Sequence, residues 1–203
     1  MKHLIIIIAL LSSLCLAQQE ATLSGIIKTD GDVPEGTRVA IHVVDRDGVW
    51  QREVVNASPV AGTFSITTKP LEASELSVMR NGSILLPGLQ NEYTINPSEG
   101  VNFALARVNM YVDANGNEVF DRTTDAFFIG VPSLENPIGF FTLIYVDKAV
   151  TLSGRGVDLN LAPGWNVFTV RFPESSQADT SPPSPDYAVQ PSVEDIVMDV
   201  FLP

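Results

Sequence analysis

The sequence predicts an all-β protein, an antiparallel β-sandwich arranged as two sandwich-like lobes. Apolar and polar side chains alternate with a two-residue period along much of the chain. Asp47-Gly48, Asn81-Gly82 and Asn115-Gly116 are dipeptides that favour tight hairpins. No stretch beyond the N-terminal segment carries the apolar period of an amphipathic helix.

The first 17 residues read as a signal peptide. Lys2 and His3 give a short positive start, Leu4 to Leu11 an unbroken apolar run, and Ala17 a small residue before the cleavage point. That run is too short to span a bilayer, and no later segment reaches the roughly 20 apolar residues a spanning helix needs. A secreted, periplasmic or extracellular protein without a transmembrane segment is expected. Cys15 leaves with the signal, so residues 18–203 contain no cysteine. The exported chain then has no disulfide, no thiol nucleophile and no thiolate metal site. Without Lys2 the 12 Lys+Arg become 11 against 24 Asp+Glu, a net charge of −13. That sign disfavours nucleic acid and anionic membrane surfaces, which reward clustered cations.

Residues 18–98 are expected to form the first lobe. Ala21 to Lys28 is a strand with Leu23 and Ile27 on one face, closed by Asp30-Gly31 and Pro34-Glu35-Gly36. Arg38 to Val44 follows with Val39, Ile41 and Val43 inward. Asp47-Gly48 turns it into Val49 to Val55. Gly62 to Thr67 carries Phe64 and Ile66 inward, and Asn81-Gly82 joins Leu76–Arg80 to Ser83–Leu85. The succession Ser24-Gly25, Arg38–Val44 and Gly62-Thr63-Phe64 resembles the carboxypeptidase-regulatory-like, or transthyretin-like, β-sandwich modules of secreted bacterial proteins. The resemblance covers about a quarter of the chain and implies a structural or interaction module rather than a reaction.

Residues 99–203 are expected to form the second lobe. Ala104, Ala106, Val108, Met110 and Val112 give one buried face at even positions. Phe140 to Val146 is apolar on both faces and reads as a central strand. Val157 to Leu161 and Trp165 to Phe172 are further strands. Residues 173–191, rich in Pro, Ser and Asp, read as a mobile loop, and Ile196 to Leu202 as a strand docking back on the sheet.

The chemistry concentrates between Asp113 and Asp125. Asp113, Asn115, Asn117 and Asp121 stand at positions 1, 3, 5 and 9 of one loop. Calcium takes six to eight hard oxygens, and alternate side chains with a carbonyl at position 7 supply them, here from Val119. The run resembles the DxNxNxxxD calcium loops of B-type repeats in Gram-positive adhesins and, more loosely, the EF-hand loop. The resemblance implies calcium as cofactor, with Asp125 or water completing the shell. Two departures stand out: Glu118 replaces the usual glycine, and position 12 is Thr124. The same residues also read as a plain hairpin turning at Asn115-Gly116, with Asp113 and Asn117 paired across it.

His42, the one histidine after the signal, alternates onto the polar face of its strand and is expected at the surface. No Gly-x-Ser-x-Gly elbow, P-loop or Gly-x-Gly-x-x-Gly is present. Phe127-Phe128, Phe140-Phe141 and Trp165 read first as core and second as a carbohydrate groove. The expected function is therefore a non-enzymatic binding or structural module of the bacterial cell envelope, with a protein or carbohydrate partner. A hydrolase using two carboxylates on polysaccharide is the alternative.

Overall fold

The computed structural model describes residues 18–45, 47–80, 84, 93–135, 137–154, 157–173 and 185–201. The expected signal peptide and the expected Asn81-Gly82 hairpin lie outside the described residues. The chain is all-β, as the alternation predicts, and no described helix is long and apolar enough to cross a membrane.

The strands are β1 (Thr22–Lys28), β2 (Thr37–Val44), β3 (Trp50–Ala57), β4 (Thr63–Thr67), β5 (Ser77–Val78), β6 (Thr94–Asn96), β7 (Asn102–Val112) and β8 (Ala126–Phe127). They continue with β9 (Ile129–Glu135), β10 (Ile138–Val146), β11 (Val150–Gly154), β12 (Val157–Leu161), β13 (Gly164–Arg171), β14 (Asp186–Gln190) and β15 (Ser192–Phe201). A twelve-stranded sheet runs β3-β2-β7-β10-β9-β15-β1-β4, with β5, β8, β13 and β14 branching from it. Its two ends, β3 and β4, approach each other, so the sheet nearly closes into a barrel. A second sheet, β12-β11-β6, has three strands.

Two apolar cores lie on opposite faces of shared strands. Leu143 and Tyr145 of β10, with Trp165 and Val167 of β13, point into the barrel beside Leu23, Val39, Ile41, Phe64 and Ile196. Ile144, Val146, Phe168 and Val170 of the same strands point the other way, onto Ile95, Leu152, Leu159 and Leu161 of the small sheet. Two-sided burial accounts for the apolar faces of Leu143 to Val146, whereas Phe140, near the start of the same strand, is exposed. Of the expected odd-numbered lining, Val39, Ile41 and Val43 all face the barrel core, as do Ala104, Ala106, Val108 and Met110 of β7.

Three expectations need correction. The pairing is not wholly antiparallel, because β1 runs parallel to β15. The large sheet also ignores residue 98: β2 pairs with β7 and β1 with β15 across it, so each core draws on both halves of the chain. Finally, the stretch expected as a loop from 173 to 191 holds a strand at its end. Asp186–Gln190 pairs with β13, and Tyr187 stacks on Phe168 at 6.1 Å.

Candidate metal site and the aromatic face beneath it

The 113–125 loop leaves β7 after Val112 and returns to it as β8, with Tyr111 opposite Phe127 and Val112 opposite Ala126. The plain hairpin turning at Asn115-Gly116 is therefore not formed. Gly36 O accepts the Asp113 amide at 3.0 Å and fixes where the loop departs.

Inside the loop, side-chain oxygens collect backbone amides. The Asn117 amide faces Asp113 Oδ1 at 3.1 Å and Asn115 Oδ1 at 3.0 Å, so those two oxygens converge on one donor. Asp113 Oδ2 accepts the Glu118 amide at 2.8 Å, and Asn117 Oδ1 accepts the Val119 amide at 2.9 Å. Gly116 and Glu118 both hold left-handed backbone, at φ 71° and 63°. Glu118 thus takes the conformation glycine supplies at position 6 of a calcium loop. Asp125 ties the ends together: Oδ1 accepts the Ala114 amide at 3.1 Å and Oδ2 the Asp121 amide at 2.7 Å.

Of the residues expected to bind metal, Asp113 and Asn115 bring their Oδ1 atoms together on the Asn117 amide, while the Asn117 side chain turns to the Val119 amide. Asp125 joins them through Thr124, whose hydroxyl meets Asn115 Nδ2 at 3.1 Å and Asp125 Oδ1 at 3.3 Å. Asp121 turns instead to its own next residues, its Oδ1 accepting the Thr123 amide at 2.8 Å and hydroxyl at 2.6 Å. Among the described residues no three His, Cys, Asp or Glu side chains form a metal-holding group. A cation here would rest on the two asparagines and backbone carbonyl as much as on carboxylates. The donor set suits calcium on that count, being all hard oxygen. The Oδ atoms of Asn115 and Asn117 each have one amide contact, leaving acceptor capacity.

The loop is fastened to β2 and β3 from below. Arg38 Nε donates to Asp113 Oδ2 at 3.0 Å, and Arg38 Nη2 meets Glu118 Oε1 at 3.0 Å. Burial pushes the Asp113 carboxyl up, but the Glu118 amide and Arg38 outweigh it and hold the group below the usual range. Thr123 lowers Asp121 through its hydroxyl and amide. Asn56 Nδ2 donates to Glu118 O at 2.7 Å, and Arg122 Nη2 to Trp50 O at 2.5 Å.

These ties press Phe120 onto an aromatic face that sequence reasoning missed. Phe120 packs edge-on to His42, Trp50 and Tyr111, with centroids 5.5, 5.3 and 5.1 Å away. His42 lies flat against Trp50 at 4.6 Å and is 2% exposed, so its expected surface position is wrong. Alternation placed it correctly on the face away from the barrel core. The loop, from 70 or more residues along the chain, buries it. Glu53, opposite His42 in the β2–β3 register, accepts the Tyr111 hydroxyl at 3.0 Å and the Phe120 amide at 3.3 Å. The available signal was Phe120, a large apolar residue inside an otherwise polar loop.

The carbohydrate-groove aromatics do not assemble. Trp165 and Phe128 are in the barrel core, Phe127 packs on Trp50, and Phe140 meets Phe172 at 6.0 Å on the surface. A cavity of about 720 Å³ between residues 27–37 and 58–62 bears Asp32 and Glu35 on its wall. Both acids are exposed, whereas a general acid is desolvated. Compared with protein families, curated proteins and solved structures, the chain finds no match.

Proposed function

We propose that this is an exported, non-enzymatic β-sandwich binding or structural module of the bacterial cell envelope, whose 113–125 loop holds calcium. The carrying observation is the convergence of Asp113 and Asn115 on the Asn117 amide, with Glu118 left-handed at the glycine position. Such a turn aims the side-chain oxygens at positions 1 and 3 toward one side, which is how a loop of this kind presents hard donors. Asp113, Asn115, Asn117 and Asp125 would hold the ion, with the Val119 carbonyl and Asp121 as the remaining expected donors. Calcium would supply the positive charge that lets these oxygens crowd.

Export is supported by the first 17 residues, with their positive start, apolar run and Ala17. Calcium is abundant outside the cell, and extracellular modules bind it at roughly 10⁻⁴ to 10⁻³ M. The partner, protein or carbohydrate, would meet a module that the loop keeps rigid. Calorimetric titration of calcium into chelator-treated protein tests the site. One site of about that affinity, lost in Asp113→Ala, is expected; no binding at millimolar calcium overturns the reading.

A further inference from the structure

We infer that the 113–125 loop is an acid-released latch, in which His42 and the Phe120 amide compete for the same oxygen of Glu53. The inference goes beyond the calcium reading and does not require it. His42 Nε2 is buried and, among the described residues, has no hydrogen-bond partner, with Glu53 Oε2 3.7 Å away. That oxygen already holds the Tyr111 hydroxyl and the Phe120 amide. On the other side of the ring, Nδ1 meets Asn109 Nδ2 at 3.5 Å, an amide donor facing an acceptor nitrogen.

The neutral ring fits this cage, and the charged ring does not. A second proton converts Nδ1 to a donor pointed at a donor, and it increases the pull on Glu53. Drawing Oε2 into hydrogen-bond range of His42 takes it from the Phe120 amide, one of three bonds that seat the loop on β3, beside Asn56 to Glu118 O and Arg122 to Trp50 O. The groups facing the ring are few. Glu53 comes from β3, and Asn109, Tyr111 and Arg107 from β7, with Arg107 opposite His42 in register. The loop adds Phe120 and Arg122, and β3 adds Trp50. One carboxylate against two guanidiniums, under an aromatic lid, does not accommodate a buried imidazolium.

Opening the loop relieves both obstacles together. It carries Arg122 away, and it lifts Phe120 so that water reaches the ring. The closed cage holds the His42 pKa down to about 4, by burial first and Arg122 second. A ring reached by water titrates near 6.5. Linkage then raises the open-to-closed ratio about tenfold between pH 7.5 and 5.5.

Amide hydrogen exchange on the full chain, corrected for the intrinsic pH dependence, tests this. Protection of the Glu118 and Phe120 amides should fall about tenfold between pH 7.5 and 5.5 while staying well below that of the Leu143 and Val167 amides, which exchange only by global unfolding. His42→Phe should make loop protection flat across that range. Flat loop protection in the unmodified chain overturns the proposal, as does the same fall in His42→Phe or loop protection equal to that of the core strands. Should His42→Phe not fold, His42→Gln decides: the same tenfold fall in a chain without a titratable ring overturns it.

Discussion

Arg38 Nε donates to Asp113 Oδ2 at 3.0 Å, joining the second strand to the first residue of the loop. Both side chains are largely buried, at 14% and 2% exposure. The same guanidinium reaches Asn56 Oδ1 at 2.8 Å and Glu118 Oε1 at 3.0 Å, so one residue fixes three positions.

Replacing Arg38 by Met keeps the stem and removes the charge, leaving buried Asp113 without its guanidinium partner. A loss of about 2–3 kcal/mol is expected. For a chain of this size that lowers the thermal midpoint by about 5–10 °C. Calorimetric scanning checks it, and a fall under about 1 °C would show that the loop is held by other ties.

Phe120→Ala removes the lid from His42, Trp50 and Tyr111. The ring is only partly buried, so a cost of about 2 kcal/mol is expected, near the lower half of the range for burying such a side chain. The more informative readout is His42 itself. Its pKa should climb from about 4 toward 6.5 as water reaches the ring, which NMR titration follows directly.

The pH dependence of stability has a definite sign. His42 titrates lower in the folded than in the unfolded chain, so the neutral ring contributes stability that is complete above about pH 6.5. That contribution is lost as pH falls from 6.5 toward 4. Between pH 7.5 and 5.5 the expected loss is about 1.4 kcal/mol, seen as a lower urea midpoint and absent in His42→Phe.

Two glycines separate backbone contact from backbone conformation. A Cβ on Gly25 would sit 2.0 Å from Ile196 O, inside the parallel β1–β15 ladder, so Gly25→Ala should prevent folding or cost more than about 4 kcal/mol. Gly116 has φ 71° with nothing within 4 Å of its Cβ position, so Gly116→Ala should cost only about 1 kcal/mol of left-handed strain. Urea unfolding of the two variants tests the contrast, and equal costs would refute the register of the first strand.

Much of this fold was legible because a strand's two faces are written at alternate positions. Val39, Ile41 and Val43 face the barrel core as the alternation requires, and the two-sided apolar run at Phe140 to Val146 belongs to a strand between two cores. Strand partners were not legible, since pairing joins distant residues. The parallel meeting of β1 with β15 leaves one local trace, the glycine at residue 25, where the Ile196 backbone passes too closely for a side chain. Nor was the turn length legible at Asp47-Gly48. Asp45 and Val49 close it, with Asp45 Oδ1 accepting the Asp47 and Val49 amides. In the candidate site, the spacing picked out the loop in which the Asp113 and Asn115 Oδ1 atoms meet on the Asn117 amide. It could not show that Asp121 would bond Thr123, because that depends on which rotamer the local turn rewards.

The central claim is that calcium holds the 113–125 loop, and thermal unfolding in calcium against chelator tests it most directly. With calcium a hundredfold above its dissociation constant, linkage adds about 2.7 kcal/mol, or roughly 5–10 °C in the midpoint. Magnesium, which demands tighter octahedral geometry, should add far less. A midpoint that rises in calcium for the unmodified chain and stays put in Asp113→Ala and Asp125→Ala is the predicted result. Identical midpoints of the unmodified chain in calcium and in chelator would contradict the account.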